Sequence, residues 1–225
     1  MDLERISIAI DGPAGAGKST IAKIVSKTLG IVYLDTGAMY RTVALKAIRE
    51  GIDTSNREKL SEIVKNIRIT ITYSNNEQRI FLEDEDVSNK IRTPEVSLGA
   101  SNVAVVPDVR IKMVEMQRQI ALESSVVMDG RDIGTYVLPN ADFKFFLTAS
   151  TEERAKRRYN EQIEKGITGI SFDDVKKDIE YRDKNDSSRD FAPLSKADDA
   201  IEVDTTSLTI EQVAEKILEI IRDGK

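Results

Sequence analysis

The string Gly12-Pro13-Ala14-Gly15-Ala16-Gly17-Lys18-Ser19 constrains this 225-residue chain more than any other feature. It fits G-x-x-x-x-G-K-[ST], the Walker A pattern. It stands between a β-branched apolar run, Ile6–Ile10, and an amphipathic stretch, Lys18–Leu29. Strand, glycine loop, helix is the order in which such a loop binds phosphate. Glycine lacks a Cβ, so successive backbone N–H groups can curl around phosphate oxygens. The helix starting near Lys18 adds the positive end of its dipole. Lys18 can reach the β- and γ-phosphates of a nucleotide, and the Ser19 hydroxyl can ligate Mg²⁺. The alternative is a glycine-rich turn that binds nothing, and the full spacing in the right context argues against it.

The surrounding pattern extends the strand–helix alternation. Ile31–Leu34 reads as a second strand, followed by a helix from near Thr36 to Glu50 that stops at Gly51. A short helix (Leu60, Ile63, Val64) then precedes Ile67, Ile69, Ile71 and Tyr73, which alternate with polar residues. A Ser74-Asn75-Asn76 turn into Arg79–Glu83 makes that segment a hairpin. Thr93-Pro94-Glu95 opens a helix, and Pro107-Asp108 opens another whose Ile111, Met113 and Val114, with Met116 and Ile120, suit a packed face. Val126–Asp129, Phe143–Leu147 and Ala200–Val203 are compact apolar runs that read as further parallel strands, and Ile210–Ile221 is a closing amphipathic helix. The expected fold is α/β, a doubly wound parallel five-stranded sheet. Thr151–Arg189, broken near Gly166–Gly169, is a charged helical region too polar for a core.

Composition removes several chemistries. The chain has no Cys and no His, so it has no disulfide, thiol nucleophile, imidazole base or His/Cys metal site. Its formal charge of −6 argues against a general binder of nucleic-acid polymers or membrane surfaces. No signal peptide or transmembrane span is visible, so a soluble cytoplasmic protein is the expectation.

Arginine placement separates a kinase from a switch. Arg154, Arg157 and Arg158 share one side of a helix, and Arg182, Asp186 and Arg189 share one face of another. Arg41 follows the second strand; Arg131 and Asp132 follow the third. Loops at the carboxyl ends of such strands converge on the ligand crevice, so these cations could surround two phosphorylated ligands. Arg157 taken singly reads as a surface charge. Asp129 closes the run Val126–Met128, where an acidic residue commonly orders Mg²⁺ through its waters; a turn-capping Asp is the alternative. Lys184-Asn185-Asp186 has the wrong order for a guanine motif. An acceptor that is itself a phosphate needs no strong base, so the absence of histidine is no obstacle.

Four strings together resemble the bacterial cytidylate kinases: Ile8–Thr20, Asp35-Thr36-Gly37-Ala38-Met39-Tyr40-Arg41, Asp129-Gly130-Arg131-Asp132-Ile133-Gly134-Thr135 and Ala192-Pro193-Leu194. Ile91-Arg92-Thr93-Pro94-Glu95-Val96 in the inserted segment adds to the likeness. The resemblance implies a single domain of the P-loop nucleoside monophosphate kinase type. Its core would be 1–59, 106–150 and 190–225, with a small α+β substrate-binding insert near 60–105 and a helical lid near 151–189. It implies transfer of the γ-phosphoryl group of ATP to CMP or dCMP with Mg²⁺, by a monomer acting on small molecules.

Carried over by position, Gly12, Pro13, Ala14, Gly15, Ala16, Gly17, Lys18, Ser19 and Thr20 would bind ATP, with Ser19 and Asp129 (the latter through water) serving the metal. Arg41 and Arg131 would hold the acceptor phosphate, beside Thr36 and Asp129. Ser101, Arg110, Asp132 and Arg189 would read the cytosine edge, and Arg182 with Asp186 would hold the sugar. Arg154 and Arg158 would belong to the lid over the ATP phosphates. Lys18, Arg41, Arg131, Arg154 and Arg158 are thus the catalytic set. Competing readings are a P-loop kinase for another acceptor such as UMP or AMP, and a non-catalytic ATP-sensing module.

Overall fold

A computed structural model describes residues 5–74 and 77–224; Asn75 and Asn76 of the expected turn fall outside that range. The chain runs β1 (Ser7–Asp11), α1 (Lys18–Leu29), β2 (Val32–Asp35), α2 (Thr36–Arg49) and α3 (Arg57–Asn66). An antiparallel piece follows, β3 (Ile69–Ser74), β4 (Glu77–Leu82) and β5 (Glu85–Asp86), then a 3₁₀ turn at Lys90–Arg92. Next come α4 (Pro94–Val103), α5 (Pro107–Glu123), β6 (Val126–Asp129), a π-turn at Ile133–Val137 and β7 (Phe143–Thr148). The chain ends with α6 (Thr151–Glu164), α7 (Phe172–Ser188), β8 (Ile201–Asp204) and α8 (Ile210–Asp223).

Five strands form one parallel sheet in the order β2-β6-β1-β7-β8. Helices cover both faces of the central strands, so β1 and β6 are buried at odd and even positions alike, whereas the edge strand β8 buries only Val203. Ile8 and Ile10 point into one cluster with Val25 of α1 and Val213 and Ile217 of α8. Ala9 points the other way, into a cluster with Leu34, Met39, Met113 and Met128. The chain leaves β1 for β2 at the sheet edge and returns through β6 between them. That reversal opens a crevice at the carboxyl ends of β1, β2 and β6.

Local chemistry sets the helix ends that matter. Gly30 takes the left-handed conformation (φ 67°) and stops α1. Asp35 caps α2 by accepting from the Ala38 N–H, and the Thr93 hydroxyl caps α4 ahead of Pro94. The packed face of α5 differs from the expected one. Ile111 is 45% exposed, whereas Arg110 and Gln117 are each 1% exposed beside Val109, Met113 and Val114. The helix turns polar side chains inward because that face borders the crevice. Three short features escaped the sequence pattern, the edge strand β5, the 3₁₀ turn at Lys90–Arg92 and the π-turn after Asp132.

Gly12 sits at φ 145°, and a Cβ there would lie 2.1 Å from the Leu147 carbonyl oxygen, which is backbone and has nowhere to go. Gly12→Ala should therefore destabilise the fold by about 3 kcal/mol or more through strain and overpacking. Urea unfolding measures this; a change below roughly 0.5 kcal/mol, the range of an ordinary surface substitution, would show that the loop relaxes freely.

Candidate active site

The loop 12–17 and the first turn of α1 bring Gly12 through Thr20 to the mouth of the crevice, with Lys18 buried and Ser19 and Thr20 exposed. Lys18 Nζ donates to the Pro13 carbonyl at 2.7 Å, within its own loop. Burial, then the nearby Arg131 guanidinium, lowers the Lys18 pKa to about 7. This ammonium has been taken from water without a full counter-charge, the state in which an arriving anion is bound most strongly.

Asp129, at the end of β6, is the hub below the loop. Its Oδ2 accepts from the Ser19 hydroxyl and its Oδ1 from the Tyr33 hydroxyl, each at 2.8 Å. The Thr36 hydroxyl donates to the Asp129 backbone carbonyl at 2.7 Å, so Thr36 fixes the strand end. Burial, followed by the neighbouring Asp35 carboxylate, holds the Asp129 pKa above the usual carboxylate range. Ser19 and Asp129 together offer hard oxygen atoms of the kind Mg²⁺ prefers. No group of three potential ligand side chains occurs among the described residues, so most of such an ion's shell would come from water and phosphate.

Beside this hub lies the Asp35–Arg41 pair. Asp35 Oδ2 accepts from Arg41 Nη2 at 2.8 Å and lies 2.9 Å from Arg92 Nη2. Burial raises the Asp35 pKa, but Arg41 and Arg92 outweigh it and the net shift is downward. Arg41 Nε is buried with no hydrogen-bond partner among the described residues. A buried, unsatisfied N–H on a cation is costly in isolation and is the donor an anionic oxygen would satisfy.

A second carboxylate centre is Asp132. Arg110 donates to its Oδ2, and Arg189 Nη2 donates to its Oδ1 at 3.1 Å. All three side chains are buried, and Arg110 also lies over the Tyr40 and Phe191 rings. What aims Asp132 is Asp11, at the end of β1. Its carboxylate accepts from the backbone N–H groups of Ile133 and Gly134 at 2.8 and 2.7 Å. Burial raises the Asp11 pKa to about 6 despite those bonds.

Asp186 joins the two halves. Arg131 Nε donates to it at 2.6 Å, and Arg189 Nη1 stands 3.8 Å away. Arg182 has one ion pair among the described residues, with Asp178 at 3.8 Å. Burial and then Arg131 push its guanidinium down to about 10. Ser101 accepts from Asn185 at 3.3 Å, and the Tyr181 hydroxyl donates to Asn102 at 2.9 Å. Helix α7 thereby touches α4 across the crevice.

The expected lid arginines diverge. Arg158 pairs with Glu161 at 2.9 Å while its Nε stays buried, with no partner among the described residues. Arg154 is tied to the outside of the phosphate loop, donating to the Ala14 carbonyl at 2.9 Å. Arg157 donates to the Thr205 hydroxyl and carbonyl, which fastens α6 to the core. Sequence reasoning missed the partners: Asp35 as counter-charge to Arg41, Arg92, Tyr33 on Asp129, and Asp183 at the loop. Asp35 had a signal, since an Asp six residues before an Arg spans the first turns of α2. Tyr33 and Asp183 meet their partners only through the tertiary fold.

Comparison with known proteins gives a consistent answer. The family model described as cytidylate kinase matches residues 8–223. Proteins named cytidylate kinase from Bacillus cereus (strain ATCC 10987 / NRS 248) and Bacillus thuringiensis (strain Al Hakam) are each 53% identical over 218 residues, covering 97% of this chain and 96% of theirs. Among solved structures, shikimate kinase from Acinetobacter baumannii aligns with a TM-score of 0.50 at 16% identity, covering 99% of this chain and 96% of that one. An uncharacterized protein from Eubacterium ventriosum aligns at 0.52 and 15% identity, covering 97% and 99%. Likeness at that identity concerns the fold alone.

The depressed Lys18 pKa makes a signed prediction. The ammonium binds its proton less tightly in the fold than in the unfolded chain. Its penalty is therefore largest below about pH 7 and fades as pH rises toward 10.5. Unliganded Lys18→Ala should melt at or above the wild type at pH 7, and the difference should shrink by pH 9.5. Calorimetry at both pH values checks it; a variant melting several degrees lower at pH 7 would contradict the assigned environment.

Proposed function

The chain belongs to the cytidylate kinase family, an ATP-dependent kinase of CMP and dCMP, and we propose how its residues carry that reaction. The γ-phosphoryl group of ATP passes to the phosphate of CMP or dCMP, giving ADP and CDP or dCDP. The observation that carries the assignment of residues is the pair of buried charged centres that follow β2 and β6, Asp35–Arg41 and Arg110–Asp132–Arg189.

The loop N–H groups, Lys18 and the unpartnered Arg158 Nε serve the donor phosphates. Arg41, through its unpartnered Nε, and Arg131 serve the acceptor phosphate. An acceptor oxygen, already anionic at neutral pH, bonds to the γ-phosphorus as the bond from that phosphorus to the β–γ bridging oxygen breaks, and no proton need be removed. Cations on both sides offset the repulsion between the two anions and stabilise charge on the moving group. Ser19 and Asp129 are the residues that would hold Mg²⁺, which supplies further neutralisation of the β- and γ-oxygens. Helices α6 and α7 cover the loop and exclude the water that would otherwise receive the phosphoryl group.

Asp132 reads the base. Each carboxylate oxygen has two lone pairs, so Asp132 can accept from the cytosine amine while Arg110 and Arg189 still donate to it. Arg110, Arg189 and Ser101 offer donors to the ring nitrogen and carbonyl, and Arg182 with Asp186 faces the sugar. A carbonyl in the amine's place, as in UMP, would meet the carboxylate lone pair to lone pair and cost about 1–3 kcal/mol. No described helix is long and apolar enough to cross a membrane. A cytoplasmic monomer acting on small nucleotides, with no polymer or membrane partner, is the setting we infer.

A coupled ADP-release assay over CMP, dCMP, UMP and AMP tests the reading. CMP and dCMP should turn over at least tenfold better than UMP, and no acceptor should mean no turnover. Lys18→Ala should abolish transfer. Asp132→Asn should erase most of the CMP-over-UMP preference while ATP binding stays within about twofold; equal loss on both acceptors would show that Asp132 does not read the base. Asp132→Ala is the poorer probe, because it leaves Arg110 and Arg189 buried without their counter-charge.

A further inference from the structure

Asp183 lies on α7 beside Arg182 and has no part in the assignments above. Its carboxylate reaches the phosphate loop. Oδ1 accepts from the Ala14 N–H at 3.2 Å, and Oδ2 accepts from Arg154 Nη1 at 2.5 Å. The same Nη1 donates to the Ala14 carbonyl at 2.9 Å. Both backbone polar groups of one loop residue are thus gripped by a single aspartate–arginine pair.

The grip is itself braced. Arg154 Nε donates to the Ala149 carbonyl and Nη2 to the Thr151 hydroxyl, each at 3.0 Å. Arg154 is 5% exposed, and a Cβ on Gly15 would stand 3.0 Å from both its Cβ and its carbonyl oxygen. Helix α6 therefore packs directly on the loop. Ala14 precedes the residues whose N–H groups line the phosphate nest. Glycines leave that nest many backbone conformations, and only some of them aim the N–H groups together.

We propose that Asp183 is a positioning residue for phosphoryl transfer. With Arg154 it clamps Ala14, holds the phosphate loop in its anion-binding conformation, and fastens that loop to α7. The proposal rests on the kinase reading. It gives α7 a double role, since Arg182 and Asp186 on the same helix face the acceptor, so the donor loop and the acceptor side share one rigid element. A carboxylate that merely opposed the incoming phosphates would act with the opposite sign, and its removal would tighten ATP binding.

The test uses the full chain with Asp183→Asn and Asp183→Ala. ATP and CMP are titrated separately by calorimetry, and steady-state kcat and KM are measured for each. The Asn side chain is nearly isosteric and keeps an oxygen for the Ala14 N–H, so it decides the matter if the Ala variant melts early. In both variants the dissociation constant and KM for ATP should rise about tenfold and kcat should fall, as expected for loss of one charge-assisted contact. CMP binding should stay within about twofold. The Asp183→Asn/Arg154→Lys double variant should lose little more than the worse single one. An unchanged ATP constant, tighter ATP binding, or equal weakening of both ligands would overturn the clamp. A wild-type chain without acceptor-dependent turnover would sink the kinase reading separately, and the ATP titrations would still decide the clamp.

Discussion

Aspartates, all of them buried except the half-buried Asp183, hold the cations of this crevice in place, and everything else about the site depends on that pairing. Asp35 holds Arg41, Asp132 holds Arg110 and Arg189, Asp186 holds Arg131, and Asp183 holds Arg154. Isolated buried charges would cost several kcal/mol each, and pairing them roughly restores the balance without adding stability. What the pairs contribute is aim. A guanidinium fixed by one carboxylate loses little further freedom when a phosphate arrives at its other edge. A chain with a net charge of −6 can still gather arginines at one crevice this way, because each is paired with an aspartate.

The shifted groups mark where the pairing is incomplete. Lys18 near pH 7 and Asp11 near pH 6 are both dominated by burial, one a cation short of counter-charge and the other an anion held by two backbone N–H groups. Asp11 stabilises the chain turn that carries Asp132, at the expense of an ionised carboxylate in a dry place. Lys18 folds back on the Pro13 carbonyl, which holds the ammonium at the loop. Both tolerate local instability where a charged ligand would relieve it.

Much of this fold was legible in the sequence because its signals are local. The helix Lys18–Leu29, its Gly30 stop and the Thr93-Pro94 helix start each depend on a few adjacent residues, and the structure agrees with them. The central strands β1 and β6 were visible as compact apolar runs because helices cover both faces there, whereas the edge strand β8 buries only Val203. The packed face of α5 was misread at Ile111, since apolar periodicity cannot anticipate a helix that buries Arg110 and Gln117 beside a polar crevice. Basic residues at strand ends could be picked out as site candidates, yet their partners could not. Arg189 meets Asp132 across 57 residues, Arg131 meets Asp186 across 55, and Ala14 meets Asp183 across 169. No spacing rule encodes such contacts; the right-handed crossovers of the sheet create them.

The central claim is that cations pre-aimed by buried carboxylates receive the acceptor through its phosphate. Calorimetric titration of CMP against cytidine, which lacks that phosphate, tests it most directly in the wild type and in Arg41→Ala/Arg131→Ala. Two charge-assisted contacts should make CMP bind at least ~100-fold more tightly than cytidine in the wild type. The double variant should bring the two ligands within a few-fold of each other while leaving cytidine unchanged. A double variant that kept the full preference for CMP would contradict the account.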